Sequence, residues 1–460
     1  LKSYIEWGDK CLNKFNGMFS FFIYDPLKKE GFGARDRFGI KPFYFSELNK
    51  DFIFSSEIKP LLHLGVKPTP NYEYINSYIV TSSLDYGSGS LINEISQIES
   101  GQYFTLKNNQ ISFFKWWTNN DLIVKLPNSY VERIKLYRET LSDAVRIRLR
   151  SDVKLSMTLS GGMDSTSIYS LYKKNDFNKV EFDKPIDIYT IKYGKESGID
   201  EVDQVEKITS SYDDTFNSIE IDSSKSIAKL RETIYFQEFP AWNLSSITFQ
   251  EIYKPIRDSG STVLIEGHGN DEILGGYNTH VNMSVRYFLR KLEFGNAWTA
   301  AKIFSKMNNT TVGQKSINPI IVLLYGLIPF IRTFRQKKRL EDLKKLNLWD
   351  KSLNLHYPNK NKNSNFNGFQ NELLHLVNNQ ILPTVLRVFD RATMSSSIEM
   401  RAPFMDYRLL QIAFSLKDEE KIGGDYQKRI LRDSMNGYVP ESIRTDKVKK
   451  GFSGDLITWF

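Results

Sequence analysis

Apolar and polar positions follow two different patterns along this chain. Between residues 17 and 58 the runs GMFSFFIYD, EGFGARDRFG, KPFYFS and DFIFSSE are short, aromatic and β-branched, and separated by Gly, Pro, Asn and Asp. That pattern predicts a mostly antiparallel, β-rich region. Beyond a Ser/Gly/Asp-rich loop, TSSLDYGSGS, the runs GQYFTLK and QISFFKWW predict two more strands. From about Leu126 the period changes, and long helical patterns such as VERIKLYRETLSDAVRIRLR alternate with short apolar strands, VKLSMTL, PIDIYTIKY and STVLIEG. Strands alternating with helices predict parallel βαβ units and a doubly wound sheet, so the fold class is α/β. Residues from about 281 to 380 read as a mostly helical insert that includes the Lys/Asn-rich loop YPNKNKNSNFNG. No internal repeat or heptad array interrupts this plan.

Composition narrows the functional classes. At 460 residues, with 40% hydrophobic and 13% aromatic side chains, the chain can bury more than one core. Its net charge of +8 is a modest excess of 62 basic over 54 acidic residues, which suits anionic ligands without demanding nucleic acid. A single cysteine, Cys11, rules out a disulfide framework and a cysteine-built zinc site, and suits the reducing cytoplasm. The longest apolar run, Ile317 to Phe334, is broken by Pro319, Gly326 and Pro329 and is short for a bilayer span; a buried helix is expected, with no stable membrane insertion. The opening LKSYIEWGDKCL and the ending KKGFSGDLITWF both read as the interior of a longer protein.

The chemistry is concentrated at two strand ends. After KLSMTL come Ser160, Gly161, Gly162, Met163, Asp164 and Ser165, at the strand-to-helix turn where doubly wound sheets bind ligands. Glycines let backbone N–H groups approach an anion, and the following helix adds its positive end. Such a loop suits phosphate, with Ser160 and Ser165 as hydroxyl donors. Asp164 would repel a bare phosphate, so a divalent cation, magnesium, is expected between them. A capped glycine turn is the bland alternative. Neither a Gly-Lys-Ser/Thr P-loop nor a GxGxxG is present. A second apolar strand, TVLI, runs into Glu266, Gly267, His268, Gly269, Asn270, Asp271 and Glu272, and Asp271 is placed to share the cation with Asp164.

These residues resemble the glutamine-dependent asparagine synthetase family and its relatives, and the resemblance covers nearly the whole chain. GMFSFFIYD, GARDRFGIKPFYF and FSSEIKPLL are similar to the second half of a class II (Ntn-type) glutamine amidotransferase domain. LSGGMDS, GHGNDEILGGY, LRVFDRATMSSSIEMRAPFMDYRLL and KRILRDSMNGYVPESIRTDKVKKGF follow in the order of the family's ATP pyrophosphatase domain. The resemblance implies a partial amidotransferase domain over residues 1–118 and a synthetase domain over 126–460 with a helical C-terminal part. It further implies ATP and Mg²⁺, with adenine flanked by Leu159 and Ile191, Glu266 and Gly267 at the AMP face, and pyrophosphate on the loop Ser160 to Ser165. Lys428 would stabilise charge on the reacting α-phosphate, a role that suits an ammonium in a water-poor cleft. Glu399, Arg401 and Asp406 would either touch substrate or form an ion network around the site.

The implied reaction is adenylation of a carboxylate, aspartate first among the candidates, followed by attack of ammonia drawn from glutamine. Partners are therefore small molecules and not nucleic acid, with a homodimer allowed. The chain departs from the family in two places. His268 replaces the glutamate of the family's Ser-Gly-Glu, where β-lactam synthetases carry tyrosine; it is a candidate general base, and it leaves other acceptors open, such as a sugar acid or a ring closure. Class II amidotransferases use a cysteine as first residue. Cys11 lies within WGDKCLNKF and is expected to pack in the core, so the sequence as it stands should not hydrolyse glutamine.

Overall fold

A computed structural model describes residues 1–81, 83–175, 186–192, 201–221, 226–240, 245–308, 318–327, 341, 345 and 363–446. They form two compact units. The first contains Leu1–Ile123 and His375–Asp390, with the few described residues between 333 and 365. Its strands are β1 (Ser20–Asp25), β2 (Glu30–Arg35), β3 (Tyr44–Leu48), β4 (Asp51–Ser55), β5 (Ser96–Gln97), β6 (Gln102–Lys107) and β7 (Gln110–Lys115). They pair antiparallel throughout, in one sheet ordered β1-β2-β6-β7 and another ordered β4-β3-β5. Phe43, Ile98 and Phe104 make one buried cluster and Cys11, Leu12, Phe32 and Ala34 another, while Tyr24, Phe113 and Phe114 stay exposed. Cys11 is fully buried, and burial pushes its thiol up, helped by the nearby Asp9 carboxylate. That is the environment of an inert packing cysteine. Ion pairs Lys41–Asp390 (2.7 Å) and Arg387–Asp85 (2.8 Å) tie the segment His375–Asp390 to this unit.

The second unit holds the described residues of 124–332, 366–374 and 391–446. Strands β8 (Leu155–Thr158), β9 (Asp187–Lys192), β10 (Asn217–Glu220), β11 (Val263–Ile265) and β12 (Glu399–Arg401) form a parallel sheet ordered β10-β9-β8-β11-β12. All three residues of β11 are buried, as expected of a central parallel strand covered on both faces. The strand order runs outward in one direction from β8 through β9 to β10 and in the other through β11 to β12. The reversal between β8 and β11 opens a crevice at their carboxyl ends, the ligand-binding position of such sheets. Helix Tyr130–Arg148, begun by a Ser129/Glu132 capping box, packs on the helix that follows β8.

Helices Asn278–Arg290, Phe294–Asn308 and Pro319–Leu327 pack on one another. The last of them corrects the expectation of burial for the apolar run. Val322 is buried and Gly326 lies against Leu289 and Val285, but Ile320, Ile321 and Leu324 are 54%, 44% and 55% exposed. A nine-residue helix that packs on its two neighbours from one side buries one stripe only. The rest of that run, from 328 to 334, lies outside the described residues, as do 357–362 of the Lys/Asn-rich loop. Among the described residues no helix is long and apolar enough to cross a membrane.

Lys421 is fully buried, donating to the Leu416 carbonyl at 2.8 Å beside Asp418 and Glu420. Burial pushes its ammonium down to about 8, with the neighbouring carboxylates opposing the fall. A base whose folded pKa lies below its unfolded one penalises folding at low pH, here by about 3 kcal/mol, and the penalty lifts as pH rises from about 8 towards 10.5. Lys421→Met should therefore lose this gain. Chemical denaturation at pH 7.5 and 9.5 is expected to show the stability of the variant relative to the parent falling as pH rises; a constant difference would refute it.

Candidate active site

The two glycine–acid loops meet at the crevice between β8 and β11. Gly162 caps helix Met163–Lys174, whose first turn carries Met163, Asp164 and Ser165 of the first loop. Gly161 stands at φ 67°, a conformation costly for any residue with a Cβ. The Ser160 and Ser165 hydroxyls lie 3.1 Å apart, and the Ser160 N–H donates to Ser165 Oγ at 3.2 Å, so the loop is closed by its own side chains. Gly267 lets the second loop approach the first: a Cβ there would stand 3.1 Å from the Ser165 nitrogen. Leu159 and Ile191 are both buried, at the ends of the adjacent strands β8 and β9.

Three charges converge on one point. Lys428 Nζ lies 2.5 Å from Asp164 Oδ2 and 2.6 Å from Asp271 Oδ1. Asp164 comes from the first turn of the helix after β8 and Asp271 from the helix after β11 (Asn270–Leu274), while Lys428 precedes helix Arg429–Ser434 with a left-handed backbone, φ 53°. Burial alone would lower the Lys428 ammonium; the Asp164 and Asp271 carboxylates outweigh it and hold the pKa above its usual value. The αL position of Lys428 just before that helix accompanies the turn of this side chain into the crevice. Glu272, the next acid along, is instead bound by the Tyr277 hydroxyl at 2.6 Å.

Three residues around this cluster, Asn270, Tyr137 and Gly276, were given no role by the sequence. Asn270 is fully buried and donates its amide to Asp164 Oδ1 at 2.6 Å, while its own Oδ1 accepts from the Tyr137 hydroxyl at 3.3 Å. Nothing in the local pattern of Tyr137, within a long amphipathic helix, points to this contact. Gly276 could have been found as the second glycine of ILGGY. A Cβ on Gly276 would overlap Asp271 Oδ1 and Lys428 Cε. Gly276→Ala is expected to leave the sheet intact and displace both charges, costing about 1–3 kcal/mol of stability by overpacking; parent-like stability in urea denaturation would refute the packing argument.

Glu266 and His268 form a second constellation. Glu266 is 4% exposed and accepts from Thr158 Oγ1 at 3.0 Å and from the Tyr253 hydroxyl at 3.4 Å, while His268 Nε2 lies 2.9 Å from its other oxygen. Thr158 faces Glu266 because β8 and β11 pair in register, Met157 opposite Ile265. The carboxylate expected at the AMP face is thus also the partner of the imidazole. Further out, Asp406 is fully buried between Arg148 (3.0 Å) and Arg408 (2.9 Å), and Arg401 binds Glu399 at 2.7 Å and two backbone carbonyls. For Glu399, Arg401 and Asp406 this is the geometry of an ion network.

No group of three or more His, Cys, Asp or Glu side chains among the described residues forms a self-sufficient metal site. The Asp164–Asp271 pair nevertheless fits a hard divalent cation: both donors are carboxylate oxygens, they already converge on a single positive charge, and such ions bound with nucleotide take the rest of their ligands from phosphate and water.

A parallel sheet with two glycine–acid loops meeting at its switch point thus follows, along the chain, a β-rich antiparallel unit. Residues 136–460 match the family described as asparagine synthase, and residues 1–117 match the glutamine amidotransferase domain. The chain belongs to the asparagine synthase family, which places it among ATP-dependent amidotransferases. It is similar to glutamine-hydrolysing asparagine synthetase 3 of Bacillus subtilis, with 27% identity over 96% of this chain and 68% of that protein. Asparagine synthetase 1 of the same organism is 25% identical over 100% of this chain and 71% of its own length. An amidase of Gibberella zeae is 25% identical over 60% of this chain and 42% of its own.

Proposed function

We propose that the protein activates a carboxylate by adenylation with ATP and transfers ammonia to it, with the side chain of aspartate as acceptor and asparagine, AMP and pyrophosphate as products. The observation that supports this reading best is the meeting of Asp164, Asp271 and Lys428 beside the loop Ser160–Ser165. In it the loop N–H groups and hydroxyls receive the β and γ phosphates, and Leu159 and Ile191 flank the adenine. A magnesium ion on Asp164 and Asp271 would neutralise charge on the departing pyrophosphate. Lys428 stabilises the negative charge that grows on the α-phosphate, in a cleft where water screens it poorly. In this reading ammonia is drawn from glutamine, and the reaction is a cytoplasmic one.

A second reading keeps the chemistry and changes the acceptor. The Glu266–His268 pair favours it, because an imidazole held by a buried carboxylate can take a proton from an incoming amine, and the pair stands where the family carries Ser and Glu. The similarity to an amidase points the same way. Pyrophosphate release with ATP, Mg²⁺ and an ammonium salt decides between them. Release that requires aspartate supports the first reading; release with another carboxylate and none with aspartate supports the second; no release with any acid from the folded chain overturns both.

A further inference from the structure

Lys428 does more in this structure than stand near a phosphate site. Its ammonium touches an oxygen of each of two carboxylates, at 2.5 and 2.6 Å, which places those oxygens no more than about 5 Å apart. Two carboxylates so close, with side chains only 17% exposed, would repel each other strongly without a cation between them. Asp164 cannot relieve this by turning away. Its other oxygen is held by the fully buried Asn270, whose amide is oriented in turn by the Tyr137 hydroxyl. Gly276 leaves the space in which Asp271 and the Lys428 stem meet. The geometry is therefore built around one positive charge at one point.

That point is also where the proposed reaction needs its divalent ion. Both cations cannot occupy it together, and a lysine ammonium, on a flexible stem with rotatable donors, can exchange one anionic partner for another. We propose that Lys428 is the resident counter-ion of the Asp164–Asp271 pair, holding the two carboxylates in register until a divalent cation entering with the nucleotide displaces it towards the phosphates. The proposal rests on the nucleotide-binding reading of the crevice. It makes Asn270 and Tyr137 positioning residues, since they act through Asp164.

The test is Mn²⁺ binding by the full chain without nucleotide, followed by the electron paramagnetic resonance signal of free Mn²⁺ and by thermal melting with and without the ion. Lys428→Met is expected to bind Mn²⁺ at least about tenfold more tightly than the parent, since it removes the competing charge and leaves both carboxylates. Mn²⁺ should raise the melting temperature of the variant more than that of the parent. Adding Asp271→Asn should abolish both effects. If Lys428→Met folds only in the presence of Mn²⁺, the proposal is supported; if it does not fold at all, Lys428→Gln carries the same expectation. Mn²⁺ affinity in the folded Met or Gln variant equal to or weaker than the parent's overturns it, as does tight binding that survives Asp271→Asn. No acceptor and no turnover enter this measurement. A parent chain that still releases pyrophosphate from ATP would leave the functional reading standing if the counter-ion role failed.

Discussion

Lys428→Ala is expected to lower ATP-dependent pyrophosphate release by about 10³-fold, the upper range for removing one preorganised charge from a developing anion. The ammonium is buried, is held above its usual pKa by two carboxylates, and emerges from a backbone conformation that points it into the crevice rather than along a helix. Its loss removes positive charge from the phosphate and leaves Asp164 and Asp271 facing each other. Lys428→Arg keeps the charge but not the compact point geometry, so it should recover only part of the rate. Pre-steady-state pyrophosphate release, measured beside the melting temperature of each variant, separates lost chemistry from lost folding. Release within about tenfold of the parent from a folded Lys428→Ala chain would remove Lys428 from the reaction.

Asp406→Ala is expected to destabilise the second unit by about 3–5 kcal/mol, the range for breaking a buried ion pair from one side. The carboxylate is fully buried and bonds Arg148, Arg408 and the Arg408 N–H that opens helix Tyr407–Ser415. Burial already lowers the Arg148 pKa, with Asp406 opposing it, and without Asp406 that guanidinium would be left desolvated beside other arginines. Arg408 is better placed, because Asp143 also binds it at 2.7 Å. Combining Arg148→Met with Asp406→Leu should regain much of the loss, because the desolvation cost leaves with the charges. Urea denaturation checks both; a loss under about 1 kcal/mol for Asp406→Ala would place the network among weak surface pairs.

What the sequence determined by itself is local. Period-two runs punctuated by glycine marked the antiparallel unit, and apolar strands running into Ser160–Ser165 and Glu266–Glu272 marked the phosphate-type loops, because strand period and turn chemistry depend on near neighbours. The apolar helix Pro319–Leu327 was legible as a helix but not as an exposed one, since burial depends on what packs against it. His268 and Glu266, two residues apart, were each visible while their pairing was not: their side chains meet only because Thr158 and Tyr253 hold the carboxylate from other elements. The convergence of Asp164 and Asp271 was an expectation of the sequence, but the contacts that Lys428 and Asn270 make with them were decided by tertiary structure. Lys428 and Asp164 are 264 residues apart, and Asn270 reaches Asp164 across 106. They meet because hydrogen bonding places β8 beside β11, which brings the two loops to one crevice, and because packing sets Lys428 opposite them in a backbone conformation its own sequence would not choose.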